Sequence, residues 1–294
     1  MFDHMRHRMT VLVLAACASL GASAVLAVHA GAHERGSSAA PTPSAQASPN
    51  LPPGLPRMAI AQRAPQVVAT NAHCGQVLTA SLTLNGDLFC TSGTGLTITG
   101  KGVVLNLAGH QIDGAGTASA GVLVQGNSDI VENGVLSRFS NWGVNVDGID
   151  SMPTSTTLSA VRAIGNFTGI SDGGMNSKIT NSTTTGNTYG IEGYGSGGTY
   201  SGDHELNNNI DGLVVEGATS VANRNVADGN GNYGIWDVLD AGSTLTRNTA
   251  DFNGNDGIFI QDAPTAVDGG GNLAKGNDYS AGNPPEQCRG VVCG

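Results

Sequence analysis

From residue 74 onward the chain is written in short alternating apolar and polar runs, cut every few positions by Gly, Asn, Ser and Asp. Gly143-Val-Asn-Val146 and Gly257-Ile-Phe-Ile260 are typical. Val and Ile at period two, bounded by turn residues, predict short strands. No stretch after residue 70 keeps a helical period for three turns. A Gly followed by an aliphatic residue recurs at Gly121, Gly143, Gly169, Gly190, Gly212, Gly234 and Gly257, at intervals of 22, 26, 21, 22, 22 and 23 residues. Ser220–Val238 and Ser243–Gln261 are the two best copies, with Asn225, Asn230, Asn232 and Gly234 lying 23 residues before Asn248, Asn253, Asn255 and Gly257. A repeat this short holds two or three strands and cannot build its own core, so it must stack on its neighbours. The pattern predicts an all-β parallel β-helix, a single-stranded solenoid of about nine or ten coils, with like positions about 4.8 Å apart. Stacking accounts for two Asn columns, Asn181, Asp203, Asn225 and Asn248 nine residues before the Gly, and Asn166, Asn187 and Asn209 three before it. A stacked Asn bonds to the next Asn and to turn backbone, and it tolerates the left-handed region. The repeated Gly fits a corner that needs positive φ or a close backbone approach.

The first coils are more specific. Cys74-Gly75, Leu84, Asp87-Leu88-Phe89-Cys90, Gly95-Leu96 and Val104-Leu105-Asn106-Leu107-Ala108-Gly109-His110-Gln111-Ile112-Asp113-Gly114 resemble the N-terminal coils of secreted bacterial proteins of the right-handed parallel β-helix repeat family, within the pectate-lyase-like superfamily. Asn106 and Ala108 depart from that pattern. The resemblance runs from residue 74 to about 278 and implies a right-handed coil. It specifies a fold strongly and a reaction weakly, since such families include polysaccharide lyases, hydrolases, epimerases and plain binding or adhesion modules.

Composition narrows the class. The 294 residues include 44 Gly, only 12% charged residues and 4% aromatics, with 13 Lys and Arg against 23 Asp and Glu. A net charge of −10 argues against a nucleic-acid partner, because phosphate contacts need Lys and Arg. Arg6 and Arg8 followed by a weakly apolar run, Thr10 to Ala30, read as a signal peptide over residues 1–30 with cleavage after Ala30, or alternatively after Ala32. Leu14-Ala15-Ala16-Cys17 resembles a lipoprotein box, so lipidation at Cys17 is the competing expectation. Residues 31–70 hold seven of the eleven prolines among Ala and Ser and read as an extended spacer. The β-helix is expected over 71–280 and a C-terminal cap over 281–294. Four cysteines remain in an exported chain, which suggests two disulfides. Three pairings are open, and Cys74–Cys90 with Cys288–Cys293 is favoured because each closes a short loop.

Several clusters are candidates for chemistry. His110 and Asp113 are an acid–base pair or, more simply, part of a turn motif. Tyr200-Ser-Gly-Asp203-His204-Glu205 is loosely similar to the short Tyr, Asp, His and Glu motif of alginate epimerases of this fold, which makes Asp203 and His204 the catalytic candidates. The Pro between Asp and His is missing, and Asp203 also falls in the Asn column. Asp228-x-Asn230-x-Asn232 and Asp251-x-Asn253-x-Asn255 have the start of a calcium loop without its closing Glu, so Ca2+ is a candidate cofactor and turn stacking is the rival account. With the residue after each Gly inward, the second and fourth face out. Those rows contain Asn145, Asp147, Glu192, Tyr194, Glu216, Trp236, Phe259 and Gln261, acids and rings of the kind a sugar-binding face uses. Trp142, Tyr189 and Tyr233, just before the Gly, form another column assigned to turn packing. With seven Lys and Arg against twenty Asp and Glu between residues 70 and 280, neutral glycans are favoured over polyuronates unless calcium intervenes. The expectation is thus a monomeric, secreted or cell-surface protein that binds or processes a polysaccharide or cell-surface glycan. A lyase, epimerase or glycosidase and a structural or adhesion spacer are the alternatives.

Overall fold

The computed structural model describes residues 71–147, 152–238, 242–261, 266–277 and 287–294. The expected signal peptide, Cys17 and the Pro-rich spacer lie outside the described residues. From Gln76 to Arg289 every strand pairs with its neighbours in parallel, and no helix occurs among the described residues. Successive coils stack into a ten-stranded and a fourteen-stranded sheet. One repeat crosses the first sheet once, as at Thr168–Asp172, and the second sheet twice, as at Lys178–Thr180 and Thr183–Thr185. The result is the expected all-β parallel β-helix, in which each repeat adds one coil.

The apolar positions of each strand point into the coil and stack in single file. Val144, Ile170, Ile191, Leu213, Ile235 and Ile258 are fully buried and lie in register on successive strands. Each buried aliphatic side chain contributes about 1.5–3 kcal/mol. The repeated Gly beside them serves close approach rather than positive φ. A Cβ on Gly121, Gly143 or Gly169 would stand 2.5, 2.6 or 2.7 Å from the carbonyl oxygen of the next coil's Gly. Positive φ is instead found at three corners of each coil. It occurs at Ser155, Asn176 and Thr219 in one column, at Asn181, Arg224 and Arg247 in a second, and at Asn207 and Phe252 in a third.

Two buried polar ladders line the second and third corners. One runs Asn166, Asn187, Asn208, Asn230, Asn253, Asn277. Each Nδ2 donates to the next Asn Oδ1 and to a carbonyl of an earlier coil, as Asn187 does to Asn208 at 3.0 Å and to Ala163 O at 3.0 Å. The other runs Ser182, Asp203, Asn225, Asn248, Asn272. Two members expected from counting back from the Gly are displaced by one residue. Asn208, not the exposed Asn209, holds the first ladder, and Ser182, not the corner residue Asn181, holds the second. The cause is one extra residue between the corner at Asn207 and Gly212, compared with the four-residue step from Gly186 to Gly190.

Both expected disulfides form. Cys74–Cys90 has a Cα separation of 5.6 Å and ties the start of the first coil, just before Gln76–Leu78, to its end, just after Leu88–Phe89, and Cys288–Cys293 has one of 6.0 Å. Cys288–Arg289 is itself the last strand of the ten-stranded sheet, paired with Ile258 and Phe259.

Candidate ligand face on the ten-stranded sheet

The outer face of the ten-stranded sheet carries the densest set of rings and acids. Its strands begin irregularly at the Gly, so the residue before the Gly and the second residue after it both face out. The second column runs in register through Asn145, Ser171, Glu192, Val214, Trp236 and Phe259 to Arg289. The first runs Trp142, Thr168, Tyr189, Asp211, Tyr233, Asp256. Tyr233 packs on both Trp236 and Phe259, with ring centroids 5.4 and 4.9 Å away. Arg289 lies over the Phe259 ring at 4.5 Å and pairs with Asp256 Oδ2 at 3.2 Å. Phe167 meets Tyr189 edge-on at 5.7 Å.

The acids sit among these rings. Glu192 Oε2 accepts from Thr168 Oγ1 at 2.7 Å. Burial raises its pKa, the hydrogen bonds from Thr168 and Tyr194 oppose that, and the charge of Asp211 adds to it. Asp211 accepts from Asn232 Nδ2 at 2.7 Å and from the Tyr233 N–H at 3.0 Å, and burial raises its pKa as well. Burial and the nearby carboxylates push the phenols of Tyr189 and Tyr233 up. The face therefore offers the half-buried carboxylate of Glu192 beside flat apolar rings, while Asp211 and Asp256 are buried beneath them.

The structure sorts the sequence candidates. Glu192, Trp236 and Phe259 lie on this face in one row, and Asn145 continues the row but is buried. Asp147, Tyr194, Glu216 and Gln261 come one step later, in the turn after each strand, where the backbone amides of Tyr194, Glu216 and Gln261 bond to the preceding coil. Tyr233 belongs with the face because its ring packs on Trp236, which corrects its assignment to turn packing. Asp211, Asp256, Thr168 and Arg289 were not anticipated. The first three share the column of Trp142, Tyr189 and Tyr233, which was read for its aromatics alone.

Asp203 and His204 are not brought together. Asp203 is buried in the ladder, accepting from the Ser182 and Ser201 N–H groups at 2.7 and 3.0 Å, while His204 is exposed on the other side of its strand. His110 approaches Asp87 at 3.3 Å, whereas Asp113 pairs with Arg138, so these two do not form an acid–base pair either. The residues of the two calcium-like motifs diverge. Asn230 and Asn253 point inward in the ladder, Asp228 caps the Asp251 N–H, and Asp251 faces Lys275 at 3.5 Å.

The family model described as periplasmic copper-binding protein (NosD) matches residues 120–282, more than half of the chain. The chain belongs to the NosD family. That family is one of right-handed parallel β-helices, in keeping with the resemblance seen in the first coils. No curated protein matches the chain. Among solved structures the chain is similar to Geobacillus virus E2 ORF18, at 10% identity and a TM-score of 0.44, covering 66% of this chain and 50% of that one. It is also similar to the Dettilon tailspike protein gp208, at 14% identity and a TM-score of 0.34, covering 68% and 60%. A third similarity is to tailspike protein 2 of Escherichia coli O157:H7 bacteriophage CAB120, at 15% identity and a TM-score of 0.37, covering 62% and 34%. The chain thus spans half the length of the viral ORF18 protein. The NosD description raises copper, which favours thiolate, thioether and imidazole donors. The described cysteines are all in disulfides, and no three of His, Cys, Asp and Glu converge among the described residues. The described coils do not fit a resident copper ion.

Proposed function

We propose that this NosD-family β-helix is an exported polysaccharide-binding protein and that the outer face of the ten-stranded sheet is its ligand surface. The observation that carries this reading is the packed set Tyr233, Trp236 and Phe259, which continues in register to Glu192 two coils before Trp236. Rings on successive coils repeat about every 4.8 Å, close to one sugar unit, and stack on sugar faces while the half-buried Glu192 accepts hydroxyl protons. Two disulfides accord with an oxidising compartment. A glycan array with wild-type protein, followed by titration of Trp236→Ala, tests the reading. Binding that weakens by about 1–2 kcal/mol with the fold intact supports it. An array without signal, or an unchanged affinity in the variant, overturns it.

The NosD description favours a second reading, copper binding ahead of the β-helix. Cleavage after Ala30 would leave Gly31-Ala32-His33 at the new N-terminus. A terminal amine, two backbone nitrogens and the imidazole of the third residue make the all-nitrogen square-planar set that Cu(II) prefers. One equivalent of Cu(II), taken up by the protein starting at Gly31 and lost on adding one residue before it or on His33→Ala, is the expected result. Uptake insensitive to both changes refutes this reading.

A further inference from the structure

We propose that the corner carrying Arg224 and Arg247 is a second binding surface, a ridge that takes an anionic polysaccharide whose carboxylates or sulfates meet the two guanidiniums on successive coils. Asn181, Gly202, Arg224, Arg247 and Gly271 occupy one corner column, each with positive φ. Their backbone N–H groups make the same step, Arg224 to Thr246 O and Arg247 to Gly270 O. The two arginines are therefore stacked one coil apart, about 4.8 Å along the axis. Both are exposed.

Three features of this corner are unfavourable for the isolated chain. Like charges on directly adjacent strands repel. The left-handed backbone disfavours a residue with a long side chain, and neighbouring coils meet it with Gly or Asn in the same column. Neither guanidinium has an ion pair or a side-chain hydrogen bond among the described residues, whereas Arg138, Lys275 and Arg289 are paired with Asp113, Asp251 and Asp256. Acids on the adjoining strands are already engaged. Asp268 accepts from the Gly270 and Val292 N–H groups and from Asn272 Nδ2, and Asp228 accepts from the Asp251 N–H.

The surroundings fit a hydroxyl-rich polyanion. On one side of the arginine column Thr180, Ser201, Asn223 and Thr246 lie in register, half-buried and facing out. On the other side His204 stands one coil before Arg224. Hydroxyl and amide groups flanking a paired cation are what a sugar bearing one acidic group per unit would meet. This surface is independent of the one proposed above, and of its ligand.

Calorimetric titration of the full-length exported protein with polygalacturonate, dextran sulfate and neutral dextran, at two salt concentrations, tests the proposal. Wild type is expected to bind at least one polyanion, more weakly at high salt, and not to bind dextran at this site. Arg224→Gln and Arg247→Gln should each lower affinity about three-fold, the double variant about ten-fold, with a flatter salt dependence. Arg224→Gly and Arg247→Gly relieve the backbone, so they should lose binding while the melting temperature holds or rises. Asn209→Ala, exposed on a different corner, should leave polyanion binding unchanged. No binding of either polyanion, undiminished binding by the double variant, equal loss of binding in Asn209→Ala, or binding of phosphatidylglycerol vesicles in place of the polymers would each overturn it.

Discussion

Asn248 acts as a piece of backbone that the turn lacks. Its Nδ2 donates to Ala222 O at 3.0 Å and to Asn272 Oδ1 at 3.1 Å, and its Oδ1 accepts from the Asn225 N–H at 2.9 Å. The side chain is fully buried, so water cannot replace it. Asn248→Ala should leave the Ala222 carbonyl and the Asn225 amide without partners, at about 1–3 kcal/mol for each orphaned group. A thermal melt checks this, with the exposed Asn209→Ala as the neutral control; equal melting temperatures for the two variants would remove the ladder from the stability argument. Side chains of this kind were legible in the sequence as a column but not to the residue. Counting from the Gly assumed a constant step, and the extra residue between Asn207 and Gly212 shifted Asn209 into the position where Asn208 stands. Asp203 shows the opposite limit. Its place in the Asn column was visible, and that column, rather than its likeness to an epimerase motif, accounts for its hydrogen bonds.

At the scale of strands and corners, the period-two runs were sufficient to predict the sheets, because Val and Ile alternation survives wherever one face is buried. The role of the repeated Gly was only half legible. Gly143 and Gly169 lie at strand starts where any Cβ meets a carbonyl of the next coil, and nothing in a one-dimensional pattern separates that from a need for positive φ. The same irregular start explains why the ligand face was read as one column instead of two. In an ideal strand Tyr233, one residue before the Gly, would point to the same side as Ile235. Here Ile235 is buried and Tyr233 lies outside against Trp236 and Phe259. Once the two columns are placed side by side, Asp211 and Asp256 alternate with Tyr189 and Tyr233, and the face becomes a mixed surface of rings and carboxylates.

Across the whole coil, acids sit on the inside as well as the outside, and this sets how stability responds to pH. Asp172 is fully buried, bonded to Tyr200 Oη at 3.2 Å and to the Gly174 N–H at 3.1 Å, and burial pushes its pKa up to about 6. Glu205 is fully buried between Thr184 and Ala227, and neither carboxylate oxygen is hydrogen-bonded to another residue among the described residues. Burial, with the charges of Asp203 and Asp228, drives its pKa upward, and burial raises that of Asp203 too. An acid whose pKa is higher in the folded chain holds more protons folded than unfolded. Its folded form is thus favoured below the unfolded pKa near 4 and loses ground as pH rises toward the folded value. For Asp172, two units of displacement correspond to about 3 kcal/mol lost between pH 4 and neutrality. Asp113 opposes this at the acid end. Despite desolvation, its bonds to Arg138 and to the Ala115 N–H hold its pKa below the usual value, and the stability they supply disappears as pH falls through that value. The melting temperature should therefore peak in mild acid, between about pH 4 and 5, and decline through pH 7. Glu205→Gln removes one charge that neutral pH would otherwise force into the interior, so it should raise the melting temperature at pH 7 and change it little at pH 4. Scanning calorimetry of wild type and variant from pH 3.5 to 8 decides the matter. A melting temperature that climbs from pH 5 to 7, or a variant that is destabilised equally at both ends, would mean that these carboxyls are ionised and solvated in the folded coil.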